Sequence, residues 1–206
     1  MKIVDPSVRV AQLADELRAI AATSLYFSKD PHDRARFEQI RIVAAELTAV
    51  VDRRDAAEIQ AIFADDLTPR TPLAGADAVI FDAAGRLLIT DRADGRGWCV
   101  PGGLVEVGES ASEAAVREAY EEVGLTVRAT ELLAVYDNRK VLPPGTAHVF
   151  HHVHRCEVVS GEPVTTHEVR DFGWFHESEI DKLTFFSLHA TLVRDAFRGG
   201  GQTLFH

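Results

Sequence analysis

Between residues 102 and 125 the chain concentrates groups suited to binding a divalent metal. Gly102-Gly103 follows Pro101, Glu109 comes six residues later, and after seven more the run Arg117-Glu118-Ala119-Tyr120-Glu121-Glu122-Val123-Gly124-Leu125 begins. On a helix, residues three and four apart share a face, so Glu118, Glu121 and Glu122 are expected to point the same way. Val116, Ala119, Tyr120 and Val123 then fall on the opposite side, towards a core. Mg²⁺ is a hard cation that takes oxygen ligands and keeps several waters, so a few carboxylates and substrate phosphate oxygens complete its shell. Without a cation the same acids repel, and at least one holds its proton. With one bound, that penalty is removed, a coordinated water becomes more acidic, and charge on phosphate oxygens is neutralised.

Acids opposite an apolar stripe are by themselves an ordinary solvated face, and Glu113 with Arg117 is a common i, i+4 pair. The flanks change that reading. Pro101-Gly102-Gly103 supplies a turn whose backbone a ligand can approach, because glycine has no side chain in the way. Gly124 stands where a helix C-cap belongs, just before the β-branched pair Thr126-Val127.

The whole segment resembles the signature of the Nudix hydrolases, with every specified position filled. Seven specified residues at roughly 6% usage each coincide somewhere in such a chain on the order of once in a million. The family hydrolyses nucleoside diphosphates linked to another group X, using Mg²⁺ or Mn²⁺. The resemblance implies metal ligation by the Gly102 carbonyl, Glu118 and Glu122, with Glu121 close by. It implies that Glu109 and Arg117 brace the loop against the helix, and that one acid from a downstream strand or loop completes the catalytic set. Glu168, six residues before Trp174, is the preferred candidate for that acid, with Glu162 and Asp171 as competitors.

A narrower resemblance extends beyond this box. Residues 17–21 and 26–37 are similar to the helical N-terminal domain of a bacterial Nudix subfamily that hydrolyses compounds such as ADP-ribose and CDP-choline. Residues 132–137 and 148–150 match the same subfamily, so the likeness covers nearly the whole chain. Leu104-Val105-Glu106-Val107 departs from it, since the subfamily has tryptophan, a small residue and aspartate there. The departure bears on the substrate pocket rather than on the metal site.

These residues need elements to hold them. Asp5-Pro6 and Asp30-Pro31 each read as an N-cap followed by proline at N1. Val10, Leu13, Leu17, Ile20 and Ala21 mark the stripe of a first helix, and Phe37, Ile40, Val43, Ala44, Leu47 and Val51 that of a second. A third, shorter helix follows Asp55 with Ile59, Ile62 and Phe63. Residues 1–64 thus form a small helical domain, 65–73 a proline-punctuated linker, and 74–206 the catalytic domain. In the latter, 76–81 and 86–90 flank Asp82-Ala83-Ala84-Gly85 as the arms of a hairpin. Strands are expected at 98–100, 127–136, 147–159 and 172–175, with terminal helices near 177–182 and 188–197. This order suits an α/β fold, the α/β/α sandwich with a mixed sheet that the resemblance implies.

The 206 residues carry a net charge of −10. Residues 1–74 hold 10 Lys and Arg against 12 Asp and Glu, and residues 75–206 hold 12 against 20. An acidic catalytic half suits metal-mediated capture of a small phosphorylated substrate and lacks the basic stripe of a nucleic-acid binder. Cys99 and Cys156 form no C-x-x-C pattern and read as buried, reduced thiols. No membrane span or signal-peptide core is visible, and a cytoplasmic location is expected. His148, His152 and His154 are expected on one face of a strand and His151 on the other, as polar strand positions or substrate contacts. Arg139 and Lys140, near Pro143-Pro144-Gly145, read as solvated loop charges.

The expected activity is cleavage of a nucleoside diphosphate-X compound into a nucleoside monophosphate and phosphorylated X. A nucleoside triphosphate or RNA 5′-end pyrophosphohydrolase uses the same box, and a regulatory effector-binding module is the alternative outside enzymes. The amphipathic helices of 1–64 offer little core of their own, so the catalytic domain or a second chain must cover their apolar stripes, and a homodimer is expected.

Overall fold

The computed structural model describes residues 5–66, 68, 70–141, 147–199 and 202–205. The expectations for residues 1–4, for positions 67 and 69 of the linker and for Pro143-Pro144-Gly145 lie outside them. The chain divides into two compact units that meet between Pro72 and Leu73.

The first unit holds α1 (Pro6–Phe27), α2 (Pro31–Ala49) and α3 (Ala56–Asp65). Each helix starts where its cap dictates. The Asp5 carboxylate accepts the Ser7 N–H at 2.8 Å, Asp30 accepts those of His32 and Asp33, and Asp55 with Glu58 closes a capping box. The buried stripes differ from those expected. In α1 the buried residues are Ala14, Ala21, Ala22 and Leu25, while Leu13 and Ile20 are 39% and 54% exposed. In α2 they are Ala44 and Ala45, with Val43 exposed, and in α3 Ile59 and Phe63, with Ile62 exposed. Alanine permits the closest approach of two helix backbones, so the seam runs along the alanines and leaves larger aliphatic residues beside it.

The second unit contains β1 (Leu73–Ile80), β2 (Leu87–Arg92), β3 (Trp98–Cys99), β4 (Gly102–Leu104), α4 (Ala111–Val123), β5 (Thr126–Asp137), α5 (Asn138–Val141), β6 (Val149–Ser160), β7 (Val169–Phe175), a 3₁₀ turn (Glu177–Lys182), α6 (His189–Arg198) and β8 (Leu204–Phe205). Among the described residues the strands form a mixed five-stranded sheet ordered β4-β1-β6-β5-β8 and an antiparallel three-stranded sheet ordered β3-β2-β7. Arg139 and Lys140 lie in the short helix α5 rather than in a loop.

The expected hairpin is only partly formed. Its turn exists: Asp82 accepts the Ala84 and Arg86 N–H groups at 2.9 Å each, and Gly85 takes φ 73°. After the single bridge between Phe81 and Leu87, however, β1 enters the larger sheet and β2 the smaller one. Each strand finds partners that are distant in sequence, and local pattern cannot reveal that choice.

Two cores flank the larger sheet. Ala76, Ala78 and Ile80 of β1 meet Ala114, Ala115, Ala119 and Val123 of α4 on one face. Val79 meets Leu192, Val193 and Ala196 of α6 on the other, together with Ala134, Tyr136 and Val153. This is the α/β/α sandwich, with β1 buried on both sides from Gly75 onward. Cys99 and Cys156 are free and buried within it.

Candidate metal-dependent active site

Helix α4 is bounded as its sequence requires. Ser110 and Glu113 form a capping box, and Gly124 closes the helix in the left-handed region at φ 72°. One position departs from the expected core face. Tyr120 is 63% exposed, and Glu122 is turned inward at 5%. The seam follows Ala115, Ala119 and Val123, small enough for α4 to approach β1 closely, and Glu122 lies on its border.

The inward carboxylate has a partner on the edge strand β4. In the β1–β4 pair the Ala78 N–H bonds to the Pro101 carbonyl at 2.8 Å and the Val105 N–H to the Ala74 carbonyl at 2.9 Å. Antiparallel ladders bond at alternate residues, so Gly102 occupies a non-bonding position and its peptide groups point off the edge. Its N–H donates to Glu122 Oε2 at 3.3 Å. A Cβ on Gly103 would stand 2.7 Å from Glu118 Cδ and would push that carboxyl aside. A Cβ on Gly102 would lie 2.6 Å from the Ala76 carbonyl oxygen.

Arg117 binds the outer edge together. Its Nε and one terminal nitrogen grip both oxygens of Glu109, at 3.1 and 2.7 Å, and the second nitrogen also reaches the Leu104 carbonyl. The remaining nitrogen donates to Glu118 at 2.9 Å and to Glu121 at 2.8 Å. Glu109 also accepts the Glu106 N–H at 2.7 Å, which folds the loop around the carboxylate that Arg117 holds. The Arg117 hydrogen bond holds the Glu109 carboxyl below its ordinary value. The three helix acids do not all face one way. Glu118 and Glu122 converge on the two glycines, whereas Glu121 is held outside by Arg117 and is half exposed.

The electrostatics follow from this arrangement. Burial pushes the Glu122 carboxyl up to about 8, the Glu118 charge adds to it, and the Gly102 N–H opposes. Burial also raises Glu118, against the pull of Arg117. The Glu168 charge bears on both carboxyls. Glu168 lies just before β7, half exposed and 3.2 Å from His167 Nε2. Its N–H bonds to Thr166 Oγ1, and that hydroxyl bonds to the Glu122 carbonyl at 3.0 Å. Of its competitors, Asp171 accepts the N–H of Phe172 instead, and Glu162 is exposed. Among the described residues no three His, Cys, Asp or Glu side chains are already gathered at metal-chelating distance. The donor set nevertheless suits a hard cation: all oxygens, a backbone carbonyl off the ladder, and a buried carboxyl at Glu122 whose ionised form a cation would favour.

Several groups here carry no local sequence signal. Thr166 is one. Arg92 is another: its charge opposes the rise of Glu122, its guanidinium shares Asp94 with Arg96, and both guanidiniums lie within 5 Å of the Phe186 ring, at 4.7 and 4.6 Å. The histidines find separate protein partners. His148 meets Asp137, His152 the Gly75 carbonyl, and His154 the His152 carbonyl. His151 meets Asp77, an acid buried within an otherwise apolar strand.

Residues 71–196 match the family described as "NUDIX domain", and residues 9–63 one described as "UDP-X-like, N-terminal oligomerisation domain". A Bacillus subtilis (strain 168) protein named "Putative ADP-ribose pyrophosphatase YjhB" is 32% identical over 172 residues, covering 83% of this chain and 82% of its own. A crystal structure of a UDP-X diphosphatase superposes with a TM-score of 0.56 at 26% identity, over 96% of this chain and 98% of the other. An ADP-ribose pyrophosphatase from Streptococcus suis 89-1591 also gives 0.56 at 26% identity, over 66% and 100%.

Proposed function

The chain belongs to the Nudix hydrolase family, and from that premise we propose that it is a divalent-metal-dependent pyrophosphatase acting on a nucleoside diphosphate linked to X. Cleavage gives a nucleoside monophosphate and phosphorylated X. The reading is supported by the names of the two relatives that span most of the chain, an ADP-ribose pyrophosphatase and a UDP-X diphosphatase. The observation that carries the metal dependence is the buried Glu122 carboxyl, one turn from Glu118, whose Oε2 accepts the Gly102 N–H beside a glycine carbonyl that the ladder leaves free.

The residues that would hold Mg²⁺ or Mn²⁺ are Glu118 and Glu122 with the Gly102 carbonyl, with Glu121 close by on Arg117. When bound, the metal neutralises charge on the phosphate oxygens and makes a water more acidic. Arg117 and Glu109 keep the loop in register with α4, so that the carboxylates meet the glycine backbone. Gly102 and Gly103 let a phosphate approach the main chain. Glu121 and Glu168 are the half-exposed carboxylates and accept a proton from water attacking one phosphorus in line.

The substrate is a small molecule, since the net charge of −10 disfavours nucleic acid. Two free buried thiols suit a reducing cytoplasm. Leu13, Ile20, Tyr26, Phe27, Val43 and Ile62 expose apolar surface on the helices that match an oligomerisation domain, and a homodimer covers it. Hydrolysis rates for ADP-ribose, UDP- and CDP-linked compounds and nucleoside triphosphates, with Mg²⁺ and with Mn²⁺, test the proposal. A higher kcat/KM for triphosphates or RNA 5′ ends overturns the substrate class, and turnover that survives chelation overturns the metal.

A further inference from the structure

A second polar cluster lies on the face of the larger sheet opposite α4, and nothing in the box accounts for it. Asp77 of β1 is buried, with a side-chain exposure of 3%. Its Oδ2 receives His151 Nδ1 at 2.9 Å, and its Oδ1 stands 4.0 Å from Nε2 of the buried His189 at the start of α6. His189 Nδ1 accepts the Val100 N–H at 3.4 Å, which assigns its ring proton to Nε2. Burial lowers His189 to about 4, so it is a neutral neighbour and leaves the Asp77 charge to His151.

His151 is built to present one nitrogen. Its ring lies beside Gly75, where a Cβ would stand 3.4 Å from Nδ1. With Nδ1 bound to Asp77, Nε2 has no partner among the described residues. It is also not among the buried unpaired polar atoms, of which the described residues hold only Asp91 Oδ1, so Nε2 reaches solvent. A buried carboxylate thus aims an accessible imidazole nitrogen. Burial alone would lower the pKa of His151, but the hydrogen bond and charge of Asp77 outweigh it and raise the value, favouring the form in which Nε2–H is a donor.

The position relative to the candidate active site follows from strand register. Gly102 pairs with Asp77, and Gly75 pairs with Leu104 on one side and His151 on the other. His151 is therefore two strands from β4, roughly 10 Å at ordinary strand spacing. Gly102, Leu104, Gly75 and Asp77 line the face opposite α4 by alternation, a Cβ on Gly102 would stand 2.7 Å from Asp77 Oδ1, and Gly75 leaves no side chain between His151 and β4, so the two clusters meet at the edge strand.

The geometry points to His151 as a substrate-binding residue whose Nε2–H holds a phosphate oxygen beyond the phosphate at Gly102 and Glu122, with Asp77 as its positioning residue. This rests on the proposed phosphate-anhydride substrate, and the experiment separates the two. In the full-length protein, His151→Asn keeps a donor for Asp77 and removes the outward nitrogen, whereas His151→Gln restores an outward donor. Losing a charge-assisted hydrogen bond raises KM about tenfold in His151→Asn for every hydrolysed member of the substrate panel. The value of kcat stays close to that of the wild type, Mn²⁺ affinity by electron paramagnetic resonance is unchanged, and His151→Gln recovers part of the KM. In the wild type, inorganic pyrophosphate with Mg²⁺ shifts the ¹⁵N resonance of His151 Nε2, a readout that does not depend on either variant folding. An unchanged KM, a rise confined to one X group, a joint loss of kcat and Mn²⁺ affinity, or no resonance shift overturns the assignment. A wild type that hydrolyses none of the panel overturns the proposed function itself and this inference with it.

Discussion

Glu122 Oε2 lies 3.3 Å from the amide nitrogen of Gly102. That contact joins the two halves of the acidic motif, because the deepest carboxylate of α4 rests on a residue of the edge strand that the ladder leaves unpaired. It also sets one carboxylate where water cannot stabilise its charge, which explains why burial dominates its raised pKa.

Glu122→Gln keeps the fold and loses most of the rate, a hundredfold or more on the order expected for a lost ligand to a catalytic metal. The pH dependence of stability provides a second readout. The folded value of about 8 lies above the ordinary carboxyl value of 4.5, so the folded state binds the extra proton between them. Stability of the metal-free wild type therefore falls as pH rises from about 4.5 to about 8, by on the order of a few kcal/mol. In Glu122→Gln that component is absent, and in the wild type Mg²⁺ removes it. Thermal melts across this range with and without metal decide the matter, and parallel curves for wild type and variant rule out the assignment.

Gly103→Ala places a methyl group against the Glu118 carboxyl, while its φ lies in ordinary territory. Circular dichroism should be unchanged, with turnover down at least tenfold because the ligand is displaced. An active alanine variant would show that Glu118 has freedom the site does not require.

Glu168→Gln should slow turnover less than Glu122→Gln does, since Glu168 is half exposed and outside α4. Glu162→Gln and Asp171→Asn should match the wild type. If either slows the enzyme more than Glu168→Gln, the additional acid has been misassigned.

Deleting residues 1–64 leaves every candidate metal ligand present but removes the helices proposed to form the interface. The expected product is aggregating or weakly active by light scattering and hydrolysis rate. A monodisperse, fully active monomer would show the segment to be dispensable.

What the sequence determined by itself was local or carried by a motif. Asp5, Asp30, Asp55 and Ser110 start helices because a short side chain can satisfy free N–H groups two or three residues on, and Gly124 ends one because it tolerates positive φ. The pairing of Glu109 with Arg117 was legible through the family motif alone, and the structure brings the two together at 2.7 Å. The tertiary structure alone decided the long-range choices. It parted β1 from β2, turned Glu122 inward in place of Tyr120, and ran the helix seams along alanines. It also tied Glu168 to α4 through Thr166 and set Asp77 beneath His151, 74 residues away in the chain. Periodicity shows that a face is apolar, but which edge of it is covered depends on the shape of a partner that arrives from elsewhere in the chain.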